Sequence, residues 1–205
     1  DTTNGVVVTS DTSGEIKLQS AGADVATIDS SGLSMGSGMK LTSTGHILQV
    51  LQATKTDTFS TNSQTFVDIT DLEVTITPLS TSSKILLLYN VSCGVTSGHS
   101  VIKAVRTIGG TTTDVLVGDA DGSNRVRANN KIYNTSTYNT TYTTYSMVGQ
   151  ILDSPNTTSA VTYKIQGASP YSASYTLVVN RTGTTSDISW DARTSSQITV
   201  MEVAA

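Results

Sequence analysis

Cysteine and tryptophan each occur once in these 205 residues, and proline three times. A lone Cys93 closes no internal disulfide and builds no thiolate metal cage, so packing or assembly must hold the fold. Charge is scarce too: 14% of residues carry it, with 12 Lys and Arg against 16 Asp and Glu, a formal net charge of −4. With no basic run to displace counterions, nucleic-acid binding is excluded. The longest apolar run, Ile85 to Tyr89, falls far short of a bilayer span, so membrane insertion is not expected. The first residues show no secretory signal pattern. Nucleophile elbow, phosphate-binding loop and dinucleotide fingerprint are all missing. His46 and His99 have no carboxylate or thiol at metal-ligand spacing. The chain reads as a non-enzyme without a cofactor.

What it has in abundance is hydroxyl and β-branching. Thr numbers 36 and Ser 28, alongside plentiful Val and Ile. Disordered chains usually lack β-branched residues and carry high net charge, so this composition favours an ordered all-β protein. From residue 46 onward the alternation is that of half-buried strands: Leu72, Val74 and Ile76 against Glu73, Thr75 and Thr77, then Val161, Tyr163 and Ile165 against polar neighbours. Ile85 to Val91 is nearly continuous, predicting a strand covered on both faces. Further strands are expected at 46–53, 65–69, 101–108, 113–117, 143–152, 175–180 and 197–203, with Gly109-Gly110 as a hairpin turn and Pro78, Pro155 and Pro170 in connections. An antiparallel β-sandwich, a jelly roll, accommodates eight to ten such strands.

Residues 1–45 differ. Apolar pairs recur at Val6 and Val8, Ile16 and Leu18, Val25 and Ile28, Leu33 and Met35, Met39 and Leu41, with turn-forming clusters between them. Most pairs sit two apart, on one face of a strand. So short a segment cannot enclose a core alone, and without disulfides or metal it requires assembly. The expectation is a repetitive trimeric β fibre shaft at 1–45, followed by a jelly-roll head at 46–205.

Candidate sites are few. Asp119 and Asp121 in GDADGSN alternate as calcium ligands do, but glycine falls too early and no acidic residue closes the loop, so an acidic turn is the better reading. Asp187 and Asp191 flank Trp190 without a second converging carboxylate pattern. Tyr133, Tyr138, Tyr142 and Tyr145 crowd into KIYNTSTYNTTYTTY, a polar stretch whose rings could stack on sugars; equally, the last two could begin a strand. Tyr133, Tyr138, Tyr142 and Trp190 are the candidate receptor-binding residues. Five Asn-x-Ser/Thr sequons, at Asn90, Asn134, Asn139, Asn156 and Asn180, follow from the hydroxyl-rich composition and are not read as glycosylation.

Several phrases carry a resemblance: SSGLSMGSGMKLTS at 30–43, HILQVLQATKTDTFSTNSQTFVDITDLEVTITPLSTSSKILL at 46–87, then VGDADGSNRVR, ILDSPNTTSAVTYKIQ and SSQITVMEVA. Together they resemble the structural fibre proteins of tailed bacteriophages, especially those of marine bacteria and cyanobacteria. The resemblance implies a slender repetitive stem and a β-tip like the trimeric jelly rolls of the tumour necrosis factor and complement C1q type. It implies a homotrimer on the outside of the virion, joined to other virion proteins at its N-terminal end. The tip would face outward, toward host cell-surface glycan. A capsid decoration or head-fibre protein that braces the shell is the alternative. Because Asp1 opens inside the repetitive pattern, the chain is expected to be part of a longer fibre.

Overall fold

The computed structural model describes residues 14–36, 44–134 and 141–205, and every regular element among them is a β-strand. The chain divides into two units, Asp1–Ser43 and Thr44–Ala205.

In the first unit β1 (Ile16–Ser20), β2 (Ala23–Asp29) and β3 (Gly32–Met35) form an antiparallel sheet in that order. The β1–β2 turn needs left-handed backbone at Ala21 and Gly22, φ 52° and 81°. At the next turn the Asp29 carboxylate accepts the Ser31 amide hydrogen at 2.7 Å. Register then decides the faces. Ile16 pairs with Ile28 and Ile28 with Leu33; Leu18 pairs with Ala26 and Ala26 with Met35. Six apolar side chains therefore share one face, and among them only Ala26 is buried. Val25 lies on the other face, because it and Ile28 are three apart, and Ala26 stands in the row instead. The pairs Val6/Val8 and Met39/Leu41 lie outside the described residues.

The second unit holds two antiparallel sheets. One contains β4 (Ile47–Lys55), β14 (Ser196–Val203), β7 (Lys84–Val95) and β11 (Tyr145–Asp153), side by side in that order, with the short β13 (Leu177–Val179) and β5 (Phe59–Thr61) continuing beyond the end of β14. The other contains β6 (Val67–Ile76), β12 (Val161–Ala168) and β8 (Gly98–Ile108), with β9 (Thr111–Leu116) and β10 (Asn130–Asn134) sharing the far edge of β8. This is the arrangement of a β-sandwich. β9 pairs with Ala104–Ile108 and β10 with Gly98–Ile102, both antiparallel to β8, so they form one edge strand interrupted by an excursion over 117–129. Gly118 donates to the Ala128 carbonyl at 3.2 Å and pinches the base of that excursion.

Alternate residues of both sheets meet in a single core, including Leu72, Ile85, Leu87, Val91, Ile102, Tyr163, Ile165, Ile198 and Val200. Cys93 is part of it, and burial pushes its thiol well above the ordinary range, so it acts as a small hydrophobe. A part-buried polar clip links the two sheets beside the core. Arg106 Nη1 of β8 donates to both Asp153 oxygens of β11, at 2.7 and 2.6 Å, and the Tyr163 hydroxyl donates to the same carboxylate at 2.7 Å.

The outward faces differ sharply. On the β6–β12–β8–β9 sheet, Thr75, Thr162, Thr107 and Thr112 lie in one register row, with hydroxyl contacts of 2.8 Å between Thr75 and Thr162 and between Thr107 and Thr112. Beside them Lys164 pairs with Asp68 and Glu73 at 2.9 and 3.1 Å, and Lys103 with Asp114 at 2.6 Å. On the other sheet the matching row is Val50, Met201, Leu86 and Leu152. Val50 and Leu152 are each 54% exposed.

Three sequence expectations need correction. Residues 65–69 and 72–76 belong to one strand, bent by left-handed Asp71 (φ 63°) rather than separated by a loop. The stretch from Asn130 to Asn134, read as loop, is strand β10, because His99 and its neighbours supply ladder partners that the local Asn-rich composition could not reveal. The strand at 85–91 is not fully covered on both faces within one chain, since Leu86 and Leu88 remain only partly buried.

Candidate binding groove

β7 hands over to β8 through a tight turn at one end of the second unit, and β10 and β12 finish there. The segment Thr44–His46 lies at the opposite end, where Gly45 and Ala204 donate to the Ala204 and His46 carbonyls, both at 2.8 Å.

Gly98 organises the first of these ends. Its φ of 68° suits glycine, and a Cβ there would strike the Tyr175 ring. Tyr175 therefore lies against bare backbone, and Tyr171 stacks on it with ring centres 5.7 Å apart. His99 and Tyr133 are direct cross-strand partners, which places both rings on the outward face and stacks them at 4.3 Å and 19°. Tyr171 meets His99 edge-on at 5.9 Å. Four aromatic rings thus form a continuous ledge, with Tyr133 54% and Tyr171 72% exposed. Burial, then the charge of Lys131, holds the His99 imidazole below its ordinary pKa and favours the neutral ring.

Next to the ledge is an open groove of about 430 Å³. It is lined by His99 and Val101 of β8, Lys131 of β10, Pro170 and Tyr171, and Asn124, Arg125 and Val126 of the 117–129 excursion. Arg125 pairs with Asp121 at 2.7 Å, but both side chains are more than two-thirds exposed, so that pair is weak. The site offers exposed ring faces, a side-chain amide and two flexible cations.

Of the sequence candidates, Tyr133 belongs to the ring ledge through His99, but it lines the neighbouring gap between β10 and β11 rather than the groove itself. Tyr142 is half-buried just before β11 and does not line the groove, and Tyr145, which begins β11, lines that same 250 Å³ gap. Trp190 is 64% exposed on the connection between β13 and β14, and it does not line the groove either. Tyr138 lies outside the described residues. Asp119 and Asp121 are exposed, and no group of three His, Cys, Asp or Glu suited to a metal occurs among the described residues. Asp191 caps its own loop instead, accepting from the Thr182 hydroxyl and from the Ser186 amide at 2.5 Å. Sequence reasoning missed His99, Tyr171 and Tyr175. The PYSASY phrase was visible, but only the pairing of β8 with β10 and β12 brings it to Tyr133.

A second depression, about 490 Å³, lies on the apolar outward face between β7, β11 and β14, bordered by Leu88, Asn90, Val148, Gln150 and Thr199. Gly149 also lines it, and a Cβ there would collide with the Tyr89 ring. Burial pushes the Tyr89 phenol up to about 12.

No protein-family model and no curated protein matches this chain.

Proposed function

We propose that the chain is one subunit of a homotrimeric bacteriophage virion fibre, a tail fibre or similar, whose first unit is the shaft and whose head binds the host surface. The observation that carries the trimer is the uncovered face of the first unit, with Ile16, Ile28, Leu33, Leu18 and Met35 side by side and exposed. Identical chains can pool such rows around a common axis, and no described residue of the unit covers them. The apolar row Val50, Met201, Leu86 and Leu152 supports the same reading for the head, since the opposite sheet presents threonines and ion pairs to water.

Strand order supports a jelly roll. With the collinear β9 and β10 counted as one strand, and the three-residue β5 and β13 set aside, eight strands form the sheets β4-β14-β7-β11 and β6-β12-β8-β10. The chain passes repeatedly between the two sheets, as in an eight-stranded Greek-key sandwich. The virion and host-attachment parts rest on the phrases that resemble phage fibres.

Light scattering on the whole chain and on residues 44–205 tests the reading. A mass of three chains is expected for both; monomers in both would remove it. Whole-cell binding by the trimer, with no binding to capsids, separates attachment from shell decoration.

A further inference from the structure

The geometry points to an anionic saccharide as the ligand of the groove between Tyr171 and Arg125, an inference that rests on the host-binding reading of the head. Four observations converge on this one place. Exposed Tyr171 and Tyr133 belong to one continuous ledge through His99, which stacks on Tyr133 and meets Tyr171 edge-on; His99 and Tyr171 line the groove itself. The C–H face of a pyranose ring is apolar and flat, so it covers an aromatic ring while its hydroxyls stay solvated. Asn124 supplies an amide beside that ledge, and amides meet hydroxyls as donor and acceptor together. Arg125 and Lys131 bring two cations to a groove of a chain whose net charge is −4, a local reversal of sign. A guanidinium takes a carboxylate or sulfate through two parallel hydrogen bonds, and its exposed pair with Asp121 costs little to exchange.

The form of the site fits a short glycan segment better than a strand of nucleic acid. The groove of about 430 Å³ holds a few sugar rings. Its two cations form no track along which a phosphate backbone could run. A trimer would present three such grooves at one end of the head, so weak single-site binding becomes firm attachment to a repetitive polysaccharide.

The test uses the full chain and a matched pair of probes, trigalacturonate and its methyl ester, which keep the same sugar rings and differ in the charge and the added methyl at each carboxyl. Ring and amide NMR signals are followed during titration, and light scattering on the same samples reports the mass. The acid should perturb His99, Tyr133 and Tyr171, and the ester should bind at least about tenfold more weakly, as expected for loss of a charge-assisted bidentate contact. Tyr171→Ala and the pair Arg125→Gln with Lys131→Gln, all at exposed positions, should each weaken the acid about tenfold. Trp190→Ala should leave it unchanged. The inference falls if neither probe perturbs these signals at millimolar concentration or if the ester binds as well as the acid. It also falls if Trp190→Ala costs as much as Tyr171→Ala, or if a thymidine oligonucleotide binds more tightly. A trimer that binds cells but not the acid overturns the ligand class and leaves the fibre; a monomer that selects the acid does the reverse.

Discussion

Gly98 shows how much one missing methyl group can decide. Its left-handed backbone and the Tyr175 ring against it predict that Gly98→Ala costs about 1–3 kcal/mol and loosens the ring ledge. A thermal melt reads the first effect, and loss of the Tyr171–Tyr175 ring contact in NMR reads the second. The polar clip makes a second prediction. Arg106→Met leaves the part-buried Asp153 carboxylate with only the Tyr163 hydroxyl, and should destabilise by about 2 kcal/mol in urea titrations. Tyr163→Phe, which leaves the ion pair intact, should cost only about 1–2 kcal/mol. Asp68 adds a pH dependence. Burial opposes its ionisation, but hydrogen bonds from Gln166 and Lys164 outweigh it and hold the carboxyl below its ordinary pKa. The folded state then binds fewer protons than the unfolded one, so this contribution is present above pH about 4 and fades as pH falls through the folded value. Asp68→Asn should lower stability at neutral pH and flatten its decline in acid, as followed by urea midpoints. None of these roles is visible in sequence, because each depends on a partner distant along the chain.

Strands were the legible scale. The alternation in Leu72–Ile76 and Val161–Ile165, the run at 85–91 and the Gly109-Gly110 hairpin each appear where the pattern puts them, because a face packed on a core writes a period of two into the residues. The failures have a common cause. β10 pairs through its backbone with little apolar content, and β5 is too short to show a period. Leu86 and Leu88 made β7 look covered on both sides, yet their outward neighbours within the chain stop at the sheet surface. In the proposed trimer, that excess of apolar residues on an outward face lies between chains. Val50→Glu together with Leu152→Glu should reduce the mass of residues 44–205 from three chains to one with an unchanged circular dichroism spectrum. A trimer that tolerates both charges would place the interface elsewhere.

At the scale of the molecule, two units with different solutions to burial share one chain. The second encloses a core of its own from both sheets, and residues 44–205 should unfold in a single cooperative urea transition without the rest. The first has one buried apolar residue among those described, Ala26, so its order is expected to be concentration-dependent. Dilution of the whole chain should increase hydrogen exchange in β1–β3 before it affects β7 or β12. The candidate site was legible only in part. Tyr133 stood out because aromatics are few, whereas the cations and the other rings reach it from three segments whose meeting depends on register.

The pinch between Gly118 and Ala128 has an engineering consequence. Since β9 and β10 run along one edge of β8 in a single direction, the 117–129 excursion leaves and rejoins the edge at nearly the same point. Its length is thus decoupled from the registers on either side, and lengthening costs only a slowly growing closure entropy. Foreign sequence grafted between those two residues should be displayed without disturbing the sandwich, and exchange of this one segment would change what the second unit presents at this end while the rest of the chain stays constant.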